Sequence, residues 1–264
     1  MTTRYSLEQI KKAYIQKKEW EKQFPLNYFF VRPISFYITY VILKITTRAD
    51  RIAYFGALLG ICGCFFLAYS FRWSVWPGII FVALFSISDA VDGNVARTTN
   101  NVTLWGIYLD GLIGTIIETS YLFFLGTGLY LSGTGISDPI ISSFFQEYAH
   151  YAPFVFGSLI TISKLWTLYF VSSYEIFQSR KKGVSPFTEA QAKKTIGTSR
   201  FSTKWYFLIF INLDSLNNQL LLLIISAMFN LEMWFLAFFT CYFAAKAAVY
   251  FFYYFDKTKK TLAN

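Results

Sequence analysis

Six long apolar segments constrain the fold of this chain more than any other feature of its sequence. A helix needs roughly 20 mostly apolar residues to cross the hydrocarbon core of a bilayer. The segments that meet this requirement lie at about 52–71, 77–97, 104–131, 152–174, 206–229 and 233–254. Only 15% of the residues are charged, against roughly 25% in soluble domains. The sequence therefore predicts an all-α, polytopic membrane protein with six transmembrane helices.

A shorter apolar stretch precedes the first of these spans. Residues 34–43 are too few to cross a bilayer easily, and they lie between Arg32-Pro33 and Lys44. This pattern is typical of an interfacial helix that lies along the membrane surface. We interpret residues 1–27 as a short amphipathic prelude in the cytoplasm, and we expect residues 28–264 to form a single membrane domain.

The positions of the basic residues predict the orientation of the chain. Ten Lys or Arg residues precede the first span, seven lie between the fourth and fifth spans, and three lie in the tail. Because Lys and Arg are enriched in cytoplasmic loops, both termini and the 175–204 loop are expected in the cytoplasm. This placement explains the net charge of +9 without a nucleic-acid partner. The compact chain favours a bacterial inner membrane.

Carboxylates inside two neighbouring spans give the clearest functional signal. On the second span, one helical stripe carries Asp89, Asp92, Gly93, Ala96 and Arg97. On the third span, residues spaced by four form another stripe, made of Gly106, Asp110, Gly114 and Glu118. Only a short turn, about 98–103, joins the two helices. We therefore expect them to be antiparallel neighbours, with both stripes near the cytoplasmic end.

Three carboxylates that face each other in a membrane would repel one another and resist desolvation. A hard divalent cation removes both problems, since Mg²⁺ prefers carboxylate oxygens and often also binds substrate phosphates. Arg97 can pair with a phosphate, and the small residues leave room for a ligand near the backbone. The pattern predicts a metal–diphosphate site that opens to the cytoplasm.

The combined spacing resembles the signature of the CDP-alcohol phosphatidyltransferases. It reads Asp89-x-x-Asp92-Gly93-x-x-Ala96-Arg97, eight residues, Gly106, three residues, Asp110. The resemblance implies that the three aspartates bind Mg²⁺ or Mn²⁺. It also implies that Gly93, Ala96 and Gly106 line the nucleotide pocket and that Arg97 helps to hold the diphosphate.

The implied function is transfer of a substituted phosphate group from a CDP-alcohol to an acceptor hydroxyl, with release of CMP. Such a reaction belongs to phospholipid or related lipid biosynthesis. The donor would be CDP-diacylglycerol or a small CDP-alcohol, and a homodimer is expected from the resemblance alone.

The sequence departs from the family pattern at Gly114, where the family has a fourth aspartate that acts as general base and second-metal ligand. Glu118, one helical turn away on the same stripe, is the candidate substitute base. Two alternatives remain: the acceptor arrives already ionised, or the chain is a catalytically impaired nucleotide- or lipid-binding membrane protein of the same fold. A transporter is another functional alternative, but the sequence shows no paired repeat of broken helices to support it.

Other polar or small residues in the spans have simpler interpretations. Gly111 is expected to pack closely between helices. Asn212, Asp214, Asn217 and Asn218 either line an acceptor pocket or pair within the bundle, and the same holds for Lys164 and Lys246.

Overall fold

A computed structural model describes residues 5–15, 21–69, 75–181 and 212–263 of the chain. The described residues are mostly helical. In chain order the helices are α1 (Leu7–Ala13), α2 (Arg32–Ile42), α3 (Ala49–Tyr69), α4 (Trp76–Thr98), α5 (Leu104–Ser132), α6 (Thr134–Ser137), α7 (Pro139–Phe145), α8 (Ala152–Lys181), α9 (Leu216–Met228) and α10 (Glu232–Ala263). A π-helical turn, Asn27–Val31, leads into α2, and a 3₁₀ turn, Gln146–Tyr148, follows α7.

Five of the described helices are long and apolar enough to cross a membrane: α3, α4, α5, α8 and α10. They coincide with the first four predicted spans and with the last one. The all-α, polytopic class predicted from the sequence is thereby confirmed.

The predicted fifth span, 206–229, lies partly outside the described residues. Its described part is helical at residues 212–214, is interrupted at Ser215 and continues as the 13-residue helix α9. The Gln219 side chain donates to the carbonyls of Leu213 (2.8 Å) and Asp214 (3.0 Å). A side-chain amide thus satisfies backbone groups that the interruption leaves open. The count of six spans stays a prediction.

The predicted helix at 34–43 is present as α2, but it begins two residues earlier, at Arg32. Proline is compatible with the first turn of a helix, so Pro33 does not delay its start. One face of α2 is buried through Ser35, Phe36 and Thr39. The opposite face exposes Ile34, Tyr37 and Val41, as expected of a helix with one apolar face turned to lipid.

The connection between α4 and α5 has the length that the sequence predicts. Asn100 has a positive φ of 51°, a conformation that asparagine adopts more readily than most residues. The N–H of Asn101 donates to the Ala96 carbonyl (2.9 Å), which closes the end of α4. Thr103 then caps α5, because its Oγ1 accepts from the N–H of Gly106 (3.0 Å). This tight turn fixes which residues of the two helices lie near each other.

The chain divides into two compact units. The first comprises Met1–Phe66, Trp76–Glu118 and Ser199–Ile225, and its core packs α1 and α2 against α4 through Ile10, Phe36, Val91 and Val95. The second comprises Leu67–Val75, Thr119–Thr198 and Ser226–Asn264. All the site residues predicted from the sequence belong to the first unit.

Glycines bring two helices into direct contact in the second unit. A Cβ at Gly126 of α5 would lie 2.5 Å from the Pro153 carbonyl oxygen. A Cβ at Gly157 of α8 would lie 2.8 Å from the Leu122 carbonyl oxygen. Small residues at such crossings allow backbones to touch, which is a common way to pack helices within a bilayer. Beyond this crossing, α8 pairs with α10, and Lys181 Nζ donates to the Thr261 carbonyl (2.5 Å).

Candidate metal and diphosphate site

The structure brings the three predicted aspartates together. Asp89 and Asp92 come from α4 and Asp110 from α5, and one carboxylate oxygen of each lies within 4.8 Å of the other two. Asp92 is buried, whereas Asp89 and Asp110 are exposed. Carboxylate oxygens are the ligands that hard divalent cations such as Mg²⁺ and Mn²⁺ prefer. The residues present therefore fit the metal ion that the sequence implies.

Helix α3 supplies a wall of small residues that the sequence analysis did not single out. A narrow cleft is lined by Ala53 and Gly56 of α3 together with the three aspartates. A Cβ at Gly56 would lie 2.9 Å from Ser88 Oγ, so α3 and α4 approach closely beside the carboxylates. A glycine within an apolar span is the only sequence signal for this contact.

Arg97 lies against the backbone of Gly93. A Cβ at Gly93 would be 3.0 Å from Arg97 Nη2 and 3.2 Å from Nη1, so this glycine makes room for the guanidinium. Arg97 Nη2 donates to Asn94 Oδ1 (3.0 Å). Among the described residues, no acceptor lies within hydrogen-bond distance of the buried Arg97 Nε. The guanidinium is anchored at one nitrogen and retains donors for an anionic oxygen.

Gly106 lies in the first turn of α5, beside an acidic residue of α3. A Cβ at this position would be 3.1 Å from Thr103 Oγ1 and 3.6 Å from Asp50 Oδ1. Asp50 therefore adds a carboxylate near the predicted nucleotide pocket that the motif did not reveal. Ala96, on α4, is partly buried, and its carbonyl accepts the hydrogen bond that closes α4.

The position of the missing fourth aspartate is open. A Cβ at Gly114 would meet no described atom within 4 Å, and the same holds at Gly111. The prediction that Gly111 packs closely between helices is therefore wrong for the part of the chain that the structure describes. Steric crowding does not explain the glycine at position 114.

Glu118 and Asp89 line the same cavity, whose volume is about 320 Å³. The cavity is also lined by Phe24, Asn27, Phe85, Ser86, Asp214, Ser215, Leu216 and Asn217. Ser86 Oγ donates to Asn217 Oδ1 (2.6 Å), and Asn217 Nδ2 donates to Asn27 Oδ1 (2.6 Å). Hydroxyl, amide and carboxylate groups thus border the carboxylate cluster on its Asp89 side.

The remaining polar residues of the spans divide between this cavity and internal contacts. Asp214 and Asn217 line the cavity, whereas Asn218 Nδ2 donates to Asn212 Oδ1 (2.7 Å). In the second unit, Lys164 Nζ lies 4.6 Å from the ring centre of Phe243. Lys246 Nζ lies 5.3 Å from that of Tyr250. The ammonium groups of both lysines therefore contact aromatic faces.

The fold and the site together define a class: an all-α, polytopic membrane protein with a carboxylate cluster and an arginine at the junction of two spans. The model of the CDP-alcohol phosphatidyltransferase family matches residues 47–171. The chain therefore contains a CDP-alcohol phosphatidyltransferase domain over those residues, and the resemblance identified in the sequence is confirmed.

Two curated relatives carry the same name. The phosphatidylinositol phosphate synthase of Cutibacterium acnes is 36% identical over 63 residues, which cover 24% of this chain and 30% of the relative. The phosphatidylinositol phosphate synthase of Streptomyces avermitilis is 29% identical over 107 residues, which cover 40% and 42% of the two chains. The matches thus span less than half of each curated relative. No solved structure matches the chain.

Proposed function

We propose that this protein transfers a substituted phosphate group from a CDP-alcohol to an acceptor hydroxyl, releasing CMP, in phospholipid or related lipid biosynthesis. One observation carries the proposal: Asp89, Asp92 and Asp110 converge inside the segment that matches the family. The names of the two relatives point to the same class of reaction.

In this proposal the three aspartates hold Mg²⁺ or Mn²⁺. The bound ion would supply positive charge that neutralises the diphosphate of the donor. Arg97 would donate hydrogen bonds to the same diphosphate, since it lies on the same helical stripe of α4 as Asp89 and Asp92. Gly93, Ala96 and Gly106 would line the pocket of the cytidine nucleotide, and at Gly93 the missing side chain leaves room for the Arg97 guanidinium.

The chemistry exchanges one phosphorus–oxygen bond for another. The acceptor oxygen forms a bond to the phosphorus that carries the alcohol, and the bond from that phosphorus to CMP breaks. The proton of the acceptor hydroxyl passes to Glu118, directly or through one water. Glu118 suits this role because it borders the same cavity as Asp89, so an acceptor in that cavity would have the base on its border.

The cavity beside Asp89 is the proposed position of the acceptor. Its volume of about 320 Å³ accommodates a small polyol, and Ser86, Asn27 and Asn217 offer hydroxyl and amide groups to it. The relatives are named for a product that contains inositol phosphate. We therefore place inositol phosphate first in the acceptor panel and CDP-diacylglycerol first among the donors.

The cellular arrangement follows the distribution of basic residues. We propose six spans, with both termini and the site on the cytoplasmic side, where CDP-alcohols are made. A bacterial inner membrane and a homodimer complete the proposal.

The test is CMP release by the purified full-length chain in the presence of Mg²⁺ or Mn²⁺. CDP-diacylglycerol and small CDP-alcohols would be offered with mixed acceptors. We expect release by the wild type and its loss in Asp92→Ala, with Asp256→Ala as the matched control, because Asp256 is an exposed aspartate paired with Lys260 (2.6 Å). A wild type that releases no CMP from any donor would refute the transferase function.

A second candidate is a nucleotide-binding protein that has lost transfer activity. The glycine at position 114 favours it, because glycine offers no side chain to take a proton. A wild type that binds CDP without releasing CMP, together with a Gly114→Asp variant that gains release, would support this candidate. A Cβ at position 114 would meet no described atom within 4 Å, so the Gly114→Asp variant should fold, and its activity should report on the added carboxylate.

A further inference from the structure

A buried polar cluster that includes Arg97 lies where α2 packs on α4. We call it the Asn94 cluster; it consists of Glu21, Arg32, Asn94 and Arg97. Glu21, Arg32 and Asn94 are 1%, 7% and 2% exposed. Buried polar groups of this kind are stable only when they are hydrogen-bonded to one another.

Asn94 is held by four hydrogen bonds. Its Oδ1 accepts from Arg32 Nη1 (3.3 Å) and from Arg97 Nη2 (3.0 Å). Its Nδ2 donates to Ser35 Oγ (3.0 Å) and Thr39 Oγ1 (3.4 Å). A flipped amide would point N–H donors at two guanidinium groups, which only donate. The orientation of Asn94 is therefore determined by its neighbours.

Glu21 compensates the charge of Arg32 in this cluster. Its carboxylate forms an ion pair with Arg32, accepts a hydrogen bond from Arg32 Nε (2.5 Å) and accepts another from the Tyr14 hydroxyl (2.5 Å). Arg32 also donates to the Ala90 carbonyl of α4 (3.3 Å). Glu21 therefore balances the charge of Arg32, and the net charge of the four-residue cluster is that of Arg97.

We propose that Asn94 is a positioning residue that orients the Arg97 guanidinium toward the diphosphate of the donor, and that the Glu21–Arg32 pair holds Asn94 in place. This inference rests on the proposed function. The N-terminal segment that carries Glu21 thereby acts on the site through two hydrogen-bonded side chains, without contact with the reacting atoms. Nothing in the aspartate motif requires asparagine at position 94.

A purely structural role predicts a different result from a positioning role. If Asn94 only fills a polar gap, its loss lowers stability and leaves the affinity of the folded protein for CDP unchanged. If it orients Arg97, its loss weakens CDP binding in the folded protein and leaves Mn²⁺ binding by the aspartates nearly unchanged.

The experiment measures CDP binding to the full-length chain by calorimetry in Mg²⁺, and Mn²⁺ binding separately. We expect Asn94→Ala, and Asn94→Leu, which is close to asparagine in shape but has no oxygen to accept from Arg97, to raise the Kd for CDP on the order of tenfold, with the Kd for Mn²⁺ within about twofold of wild type. Thr99→Val is the matched control, because the hydroxyl of Thr99, the residue after α4, donates to the α4 carbonyls of Val95 and Ala96 and, among the described residues, to no group of the Asn94 cluster.

A double-mutant cycle tests whether Asn94 acts through Arg97. In an Arg97→Ala background, Asn94→Ala should add no further loss of CDP affinity. Wild-type CDP affinity in Asn94→Leu, or full additivity with Arg97→Ala, would overturn the inference and leave the proposed function standing. A wild type that neither binds CDP nor releases CMP would overturn both.

Discussion

Replacing Gly93 with alanine should separate nucleotide binding from stability. The added Cβ would lie 3.0 Å from Arg97 Nη2, whereas ordinary van der Waals contacts begin near 3.4 Å. The guanidinium must therefore move by at least about 0.4 Å. A shift of this size away from Asn94 would stretch the 3.0 Å hydrogen bond to about 3.4 Å, beyond the usual range of roughly 2.7–3.2 Å.

The expected loss follows from the kind of bond that is disturbed. A hydrogen bond to a charged group contributes about 1.5–3 kcal/mol, and about 1.4 kcal/mol corresponds to a tenfold change in Kd. Because the bond is stretched and not fully lost, Gly93→Ala should weaken CDP binding by up to roughly tenfold. Alanine is favoured over glycine within a helix by about 1 kcal/mol, so the thermal midpoint should stay close to that of the wild type.

Calorimetric titration with CDP, paired with thermal unfolding in detergent, tests this prediction. Gly111→Ala is the control, because its Cβ would meet no described atom within 4 Å; it should bind CDP as the wild type does. In an Arg97→Lys background the effect of Gly93→Ala should largely disappear. Wild-type CDP affinity in Gly93→Ala would refute the reasoning that CDP binding requires the Arg97 guanidinium to lie against the Gly93 backbone.

Four further outcomes follow from the structure. Glu118→Gln should lower the kcat of CMP release about a hundredfold or more with little change in CDP affinity; an unchanged kcat would exclude Glu118 as the base. Gly114→Asp should fold normally and release CMP at least as fast as wild type, and a large drop in its thermal midpoint would contradict the open space at that position. Asp110→Asn should weaken Mn²⁺ binding in a titration, and unaltered binding would remove Asp110 from the metal site. Tyr14→Phe should lower the free energy of unfolding by about 1–3 kcal/mol at pH 8. Burial and the Glu21 hydrogen bond raise the pKa of Tyr14 above its usual value of 10. The difference in free energy of unfolding between the wild type and Tyr14→Phe should therefore be complete below pH 10 and shrink as pH rises further. A difference that stays constant up to pH 11 would contradict this.

Periodicity and spacing predicted the part of the site that depends on two helices and one turn. Residues three or four apart share a helix face, and a connection predicted at about 98–103 and observed as residues 99–103 leaves α4 and α5 little freedom. These two facts were sufficient to expect Asp89, Asp92 and Asp110 close together. They also gave the bounds of most spans to within a few residues.

Periodicity did not reveal what a third element brings to the site. The approach of Gly56 to Ser88, the carboxylate of Asp50 and the hydrogen bonds of Asn94 depend on how α2 and α3 pack on α4. An apolar stretch encodes that packing through shape, and shape is not visible in a hydropathy pattern. The prediction for Gly111 fails within the described residues for the same reason, since a glycine in a span indicates a close helix contact only when another helix lies there.

The two long helices of the second unit, α8 and α10, have a consequence for the choice of membrane. They contain 30 and 32 residues, which correspond to about 45 and 48 Å at 1.5 Å per residue. The hydrocarbon core of a bilayer measures about 30 Å. Each helix therefore exceeds the core by roughly ten residues, and a moderate tilt takes up only part of that excess. The excess turns carry charged residues, Glu175 and Lys181 on α8 and Asp256, Lys257, Lys259 and Lys260 on α10. These turns should therefore project beyond the bilayer surface, because a thicker bilayer would have to bury their charges.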